Sequence, residues 1–260
     1  MLSCMDCLWE WYKEGFAPGP YESMADFELR VKAVKGALAS PEAFLEAVGV
    51  TYESIDDVSP GFLVIRSKKG LAFWFGAMTY ICEWKGQKIP IIELPKGKRG
   101  LGLTTNDLIA HEEVHFLRST FCEPRFEEVI AYRTSRSKWR KWLGPIFQNP
   151  WESYLCMAFF LSFPFLPFIP FFYALIITVI VATYLTLITY RLFRNQTIYQ
   201  KAMKRLSYHY KNCEEILKLY TDLEIKKTAK GKSAGIPKSS PRGKLLLELI
   251  NRQKRRVHKN

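Results

Sequence analysis

Between Glu152 and Arg191 the chain carries no Asp, Glu, Lys or Arg, and Phe, Leu, Ile and Tyr dominate the residues in between. A 260-residue chain has too small a core to absorb so long an apolar run, and the run exceeds one membrane crossing. Pro164, Pro167 and Pro170 interrupt it, each removing a helical N–H. The expected form is two helices, 153–168 and 171–190, folded as a transmembrane hairpin. The first is short for a full span and would thin the bilayer locally. Arg133, Arg136, Lys138, Arg140 and Lys141 precede the stretch, and Arg191, Arg194, Lys201, Lys204 and Arg205 follow it. By the positive-inside rule, both flanks are expected to be cytoplasmic, and with them the soluble domain and both termini. An acidic N-terminal stretch without basic-then-apolar order gives no expectation of a signal peptide.

The rest of the chain is organised around this stretch. Residues 1–150 read as a soluble domain, 151–192 as the membrane hairpin, 193–224 as an amphipathic helix packing back on that domain, and 225–260 as a basic, flexible tail. Within the first unit, Ala25 to Leu38 and Pro41 to Val48 show helical spacing, with Pro41 suited to a helix start. Phe62–Arg66, Leu71–Trp84 and Lys88–Leu94 alternate as strands of a small antiparallel sheet, with Lys85-Gly86-Gln87 as a hairpin turn. Pro90 argues for an edge position of the last strand, and an open edge can align an extended peptide. The expected class is therefore α+β.

One motif in this unit carries chemistry. His111-Glu112-Glu113-Val114-His115 sets two imidazoles one helical turn apart with a carboxylate beside them, as a hydrolytic zinc site requires. Thr104 to Asp107 offer capping side chains, and Leu108, Ile109, Val114 and Phe116 give an apolar stripe, so a helix is expected from about Thr105 to Ser119. A third ligand is still needed. The other histidines, His209 and His258, lie beyond the apolar stretch, which leaves a carboxylate. Pro124 opens a second helix, and counting four residues back along it brings Glu128 level with His115, while small Ala131 allows close approach. Glu127 lies about 100° round the same helix and competes for the role. Glu214 and Glu215, beyond the apolar stretch, are further alternatives. A helix N-terminus enriched in acids is the bland reading of the Glu127–Glu128 pair, and Asp107 likewise reads as a helix-start carboxylate before it reads as a partner of His111.

The pattern His111-Glu112-x-x-His115 followed by Glu128-x-x-Ala131 resembles the gluzincin group of zinc metallopeptidases, in which the late ligand is a glutamate on a following helix. The resemblance covers residues 104 to 133. It implies a small zincin-like domain, Zn²⁺ held by His111, His115 and Glu128, and Glu112 as the general base of peptide hydrolysis. Two departures stand out: Tyr132 replaces an aspartate often found there, and Glu128 precedes the membrane stretch where membrane members place it after. The oxyanion donor is open among Tyr132, His209 and Arg125.

Beyond Ile225 lie 12 of the 38 lysines and arginines against one acid, Glu248, so the net charge of +13 is local to the tail. Such a tail suits anionic lipid; RNA is the weaker alternative because no aromatics are interleaved, and a merely solvated, disordered tail is the bland reading. Lys244 to Ile250 has one short amphipathic run. Cys4-Met5-Asp6-Cys7 is a lone pair and no zinc knuckle, and the six scattered cysteines suit a reducing compartment. The expected function is a membrane-anchored zinc metallopeptidase acting on a peptide or protein, including membrane proteins. The competing class is a non-catalytic membrane-anchored scaffold or lipid-binding adaptor.

Overall fold

The computed structural model describes residues 4–59, 61–68, 77–96 and 104–257. Its N-terminal helices are α1 (Cys4–Lys13), α2 (Met24–Leu38) and α3 (Pro41–Ala47). Ser23 caps α2 by accepting from the Asp26 N–H at 3.2 Å, and Pro41 starts α3 where a missing N–H costs nothing. Four strands follow: β1 (Tyr52–Ser59), β2 (Phe62–Ser67), β3 (Met78–Trp84) and β4 (Gln87–Leu94), in the order β1-β2-β4-β3. Lys85 and Gly86 both take positive φ, at 51° and 73°, giving the tight β3–β4 hairpin that matches strand twist.

Three strand expectations change. The sheet is mixed, because β2 and β4 pair in parallel. Pro90 lies in an inner strand, but the β2 ladder begins only at Ile91, so at Pro90 the strand has β3 as its single neighbour. β1 was hidden by its composition, since Asp56, Asp57 and Glu53 break any apolar alternation. Of the expected strand Leu71–Trp84, residues 71–76 lie outside those described.

Leu63, Val64, Ile65, Ile89, Ile91 and Ile92 of the sheet bury against Phe27, Val31, Val34, Phe44 and Leu45 of α2 and α3. Burial of each such side chain contributes roughly 1.5–3 kcal/mol relative to exposure. A second core is wholly helical. It gathers α4 (Thr105–Arg118), α5 (Pro124–Arg133), α8 (Phe171–Ser207), α9 (Cys213–Lys218), α10 (Asp222–Ala229) and α11 (Pro241–Val257) around Phe126, Val129, Ile130, Tyr199, Ile216 and Leu245. Helix α4 stands between the two cores. Leu108 and Phe116 enter the first, Val114 and Leu117 the second. The buried Arg118 guanidinium donates to the carbonyls of Lys218 and Tyr220 at 2.9 and 2.8 Å, fixing α4 to the turn after α9.

The apolar stretch takes a different form from the one expected. After α6 (Lys138–Leu143), helix α7 spans only Pro150–Ser162, about 20 Å, and a 3₁₀ segment covers Phe163–Phe168. Among the described residues one helix, α8, is long and apolar enough to cross a membrane, and its apolar window is almost entirely exposed. The expected pair of spanning helices is thus not shown. α7 lies against α8 through Arg191, which donates to both oxygens of Glu152 at 2.5 and 2.6 Å, and through the Phe159 and Tyr184 rings 5.6 Å apart.

Helix α8 also runs on to Ser207, absorbing the first part of the expected amphipathic helix; α9 and α10 form the remainder. The expected flexible tail is corrected too. Thr221 and Glu224 form a capping box on α10, and α11 buries Leu245, Leu246 and Leu249, together with Arg242 paired to Glu224, while Lys244 is exposed. Composition had masked that apolar stripe.

Candidate metal centre

With two sides of α4 committed to the cores, the third side presents His111, Glu112 and His115. Thr104 caps the helix by accepting from the Asp107 N–H at 3.1 Å and donates back to the Asp107 carboxylate, so Asp107 serves the helix start and not His111. Cys122, at φ 52°, turns the chain sharply after Phe121, and α5 returns antiparallel with Pro124 in its first turn. Glu123 accepts from the Asp222 N–H at 2.5 Å while Asp222 accepts from the Phe126 N–H at 3.3 Å, locking the starts of α5 and α10 together.

This arrangement brings together three side chains. His111 Nε2 and His115 Nε2 lie 3.3 Å apart, His111 Nε2 is 3.6 Å from one Glu128 oxygen, and His115 Nε2 is 3.4 Å from the other. Ligand atoms of His111, His115 and Glu128 all fall within 4.8 Å of one another, a group able to hold a metal ion. A tetrahedral zinc with bonds of about 2.0–2.1 Å sets its ligand atoms about 3.3–3.4 Å apart, so the residues fit that ion. Fit is also chemical, since two nitrogens facing each other at 3.3 Å need a shared cation or proton between them.

Glu127 takes the neighbouring role. The His115 Nδ1–H donates to its Oε1 at 2.6 Å, which orients the ring so that Nε2 is the nitrogen facing the centre. The sequence supplied this pair of acids but not the angle that divides their labour. His111 Nδ1 is buried without a hydrogen bond, with the Ala131 backbone acting on it. Glu214 is exposed, and Glu215 accepts from Tyr12 at 2.6 Å and from Lys218 at 2.7 Å, so both belong elsewhere.

Electrostatics follow from this crowding. Burial pushes the Glu128 carboxyl up to about 7, eased by His115 and reinforced by Glu112 and Glu127. Burial acts against a charged His115, but the Glu127 hydrogen bond and the charges of Glu128 and Glu112 outweigh it and raise the ring to about 9. Burial, His115 and Arg140 hold His111 well below its ordinary value, hence neutral. Three carboxylates thus converge on two imidazoles.

Glu112 is placed by an unforeseen partner. Thr79 of β3 donates its hydroxyl to Glu112 Oε2 at 2.6 Å, so the sheet edge that flanks the site is β3. Tyr132 stacks edge-on to His111 with centroids 4.4 Å apart, and burial followed by Glu128 pushes its hydroxyl up to about 12. Gly144 makes room for that ring, since a Cβ there would overlap it. Of the other oxyanion candidates, Arg125 donates to Asn195 at 3.0 Å and His209 is exposed; neither lines the cleft. A cleft of about 890 Å³ runs from Met78 and Thr79 past the imidazoles to Arg140, Phe147 and Met157. Glu113 sits outside it, on another side of α4. No protein family, curated protein or solved structure matches the chain.

Proposed function

We propose that this chain is a membrane-anchored zinc metallopeptidase of the gluzincin kind, working at the cytoplasmic face. The observation that carries the reading is the triangle of His111, His115 and Glu128, whose edges of 3.3 to 3.6 Å suit a tetrahedral ion. Bound there, zinc would lower the pKa of a coordinated water and polarise a scissile carbonyl. Glu112, held in place by the Thr79 hydroxyl, would take the proton of the attacking water and pass it to the leaving amine. Glu127 keeps His115 in the ligating tautomer. Tyr132, packed against His111 and lining the cleft, is the hydroxyl we assign as oxyanion donor.

Helix α8 supplies the anchor, and the basic flanks of the apolar stretch favour a cytoplasmic soluble domain. The run of lysines and arginines in the C-terminal region, with one acid among them, is suited to anionic headgroups. Zinc analysis of the purified full chain tests the reading: one equivalent is expected in the native protein and none after His111→Ala or His115→Ala. Glu112→Gln should keep zinc and lose about 10²–10⁴ in turnover of an unfolded protein substrate. Equal, low zinc in all forms would remove the proposal.

A further inference from the structure

The metal-facing part of the cleft is acidic, whereas its α6 wall is not. Ser135 to Lys141 carries Arg136, Lys138, Arg140 and Lys141 with no acid among them. Arg140 is the member of this group that lines the cleft. Its guanidinium carbon lies 5.6 Å from the centroid of Tyr132, which in turn packs on His111. Its Nη1 is buried without a hydrogen-bond partner, and among the described residues no carboxylate pairs with Arg140.

Charges withdrawn from water are ordinarily paired, as Arg30 is with Glu22, the partly exposed Arg191 with Glu152, and Arg242 with Glu224. Here a partly desolvated cation is held beside the reactive end of a substrate-sized cleft with its counter-charge missing. The acids of the cleft are engaged elsewhere: Glu127 and Glu128 face the imidazoles and Glu112 accepts from the Thr79 hydroxyl. A neutral peptide carbonyl would satisfy a donor but leave the charge uncompensated, while a carboxylate does both and matches the planar fork.

We propose that Arg140 anchors a carboxylate of the bound chain, so that the preferred substrate carries either a free C-terminus or an acidic side chain on the α6 side of the scissile bond. This specificity rests on the metallopeptidase reading. Negative charge on the substrate is drawn to the α6 end and repelled by the acids around the metal, so the same contact fixes the direction in which the chain lies.

Binding can be read without turnover. The full-length Glu112→Gln protein in detergent micelles, loaded with zinc, is titrated with three dansyl tripeptides by fluorescence anisotropy. One ends in a free carboxylate, the second is its C-terminal amide, and the third is an amide whose last residue is Asp. A charge-assisted contact of this kind predicts that the free acid, the Asp amide or both bind about tenfold or more tighter than the plain amide. Which of the two does so assigns the source of the carboxylate. Adding Arg140→Gln should erase the preference, and Arg140→Lys should keep part of it. Equal binding of acid and amides, or a preference that survives Arg140→Gln, overturns the inference. The peptide comparison needs no substitution at 140, so a poorly folded variant does not decide it. Zinc-loaded protein that binds none of the three overturns the inference and leaves the metal reading standing, whereas protein that takes up no zinc removes both.

Discussion

Two clusters of buried charge in this molecule are built by opposite rules. In the C-terminal cluster Arg242 donates to both oxygens of Glu224, at 3.0 and 2.9 Å, and to the Leu219 carbonyl at 3.1 Å, while Glu224 also accepts from the Thr221 N–H at 2.7 Å. One cation meets one anion, and the Phe121 ring lies under both Arg242 and Arg118. In the cleft, Glu112, Glu127 and Glu128 crowd two imidazoles, one of them held neutral. The first cluster is complete in the folded chain and fastens α11 to the helical core. The second gathers more acids than cations around ligand atoms that could hold a metal ion, and on the proposed reading the contrast separates a structural pair from a site.

Substitutions can break this contrast. The largest expected effect is on the complete pair: Arg242→Met leaves Glu224 buried and alone, and should cost about 3–5 kcal/mol in denaturant melts, with or without zinc. Glu128→Gln should behave differently. It abolishes the zinc-dependent rise in melting temperature, worth about 4 kcal/mol when free zinc exceeds the dissociation constant a thousandfold. In chelator-treated protein it should leave stability unchanged or raised, because it thins the crowd of acids. If it destabilised the chelated protein as much as Arg242→Met, the two clusters would be of one kind. Next in size, Glu127→Ala should weaken zinc about 10–100-fold in competition with a chromogenic chelator, since His115 loses its orienting acceptor. The smallest effect falls on β3. Thr79→Val removes one hydrogen bond to Glu112, and should lower turnover within about tenfold while leaving zinc content at its native value.

How far the sequence told this in advance depended on whether a feature was local. Helices α4 and α5 follow from i,i+4 histidines, a capping threonine and a proline at a helix start, and counting along the antiparallel return put Glu128 level with His115. The same counting could not split Glu127 from Glu128, because the two differ only by a rotation that tertiary packing decides. Thr79 and Arg140 were illegible as site residues. Each reaches the cleft from an element whose position follows from the two cores, and Arg140 read simply as one of a run of membrane-flanking charges. Pro90 misled because a rule about whole strands was applied to one residue, where only the first part of β4 lacks a second neighbour. The C-terminal region misled through composition: twelve basic residues concealed Leu245, Leu246 and Leu249, which bury on one side of α11.

Helix α8 leaves its apolar segment and enters the helical core without a break, 37 residues or about 55 Å in one rod. Asn195 and Gln196 on this rod take hydrogen bonds from Arg125 and Arg133 of α5, the helix that also carries Glu127 and Glu128. On the proposed anchoring, no helix break separates the apolar segment from the cluster of His111, His115 and Glu128, so a change in bilayer thickness or tilt is expected to shift how high the cleft rides over the surface before it alters the cleft itself, as a fixed ruler would.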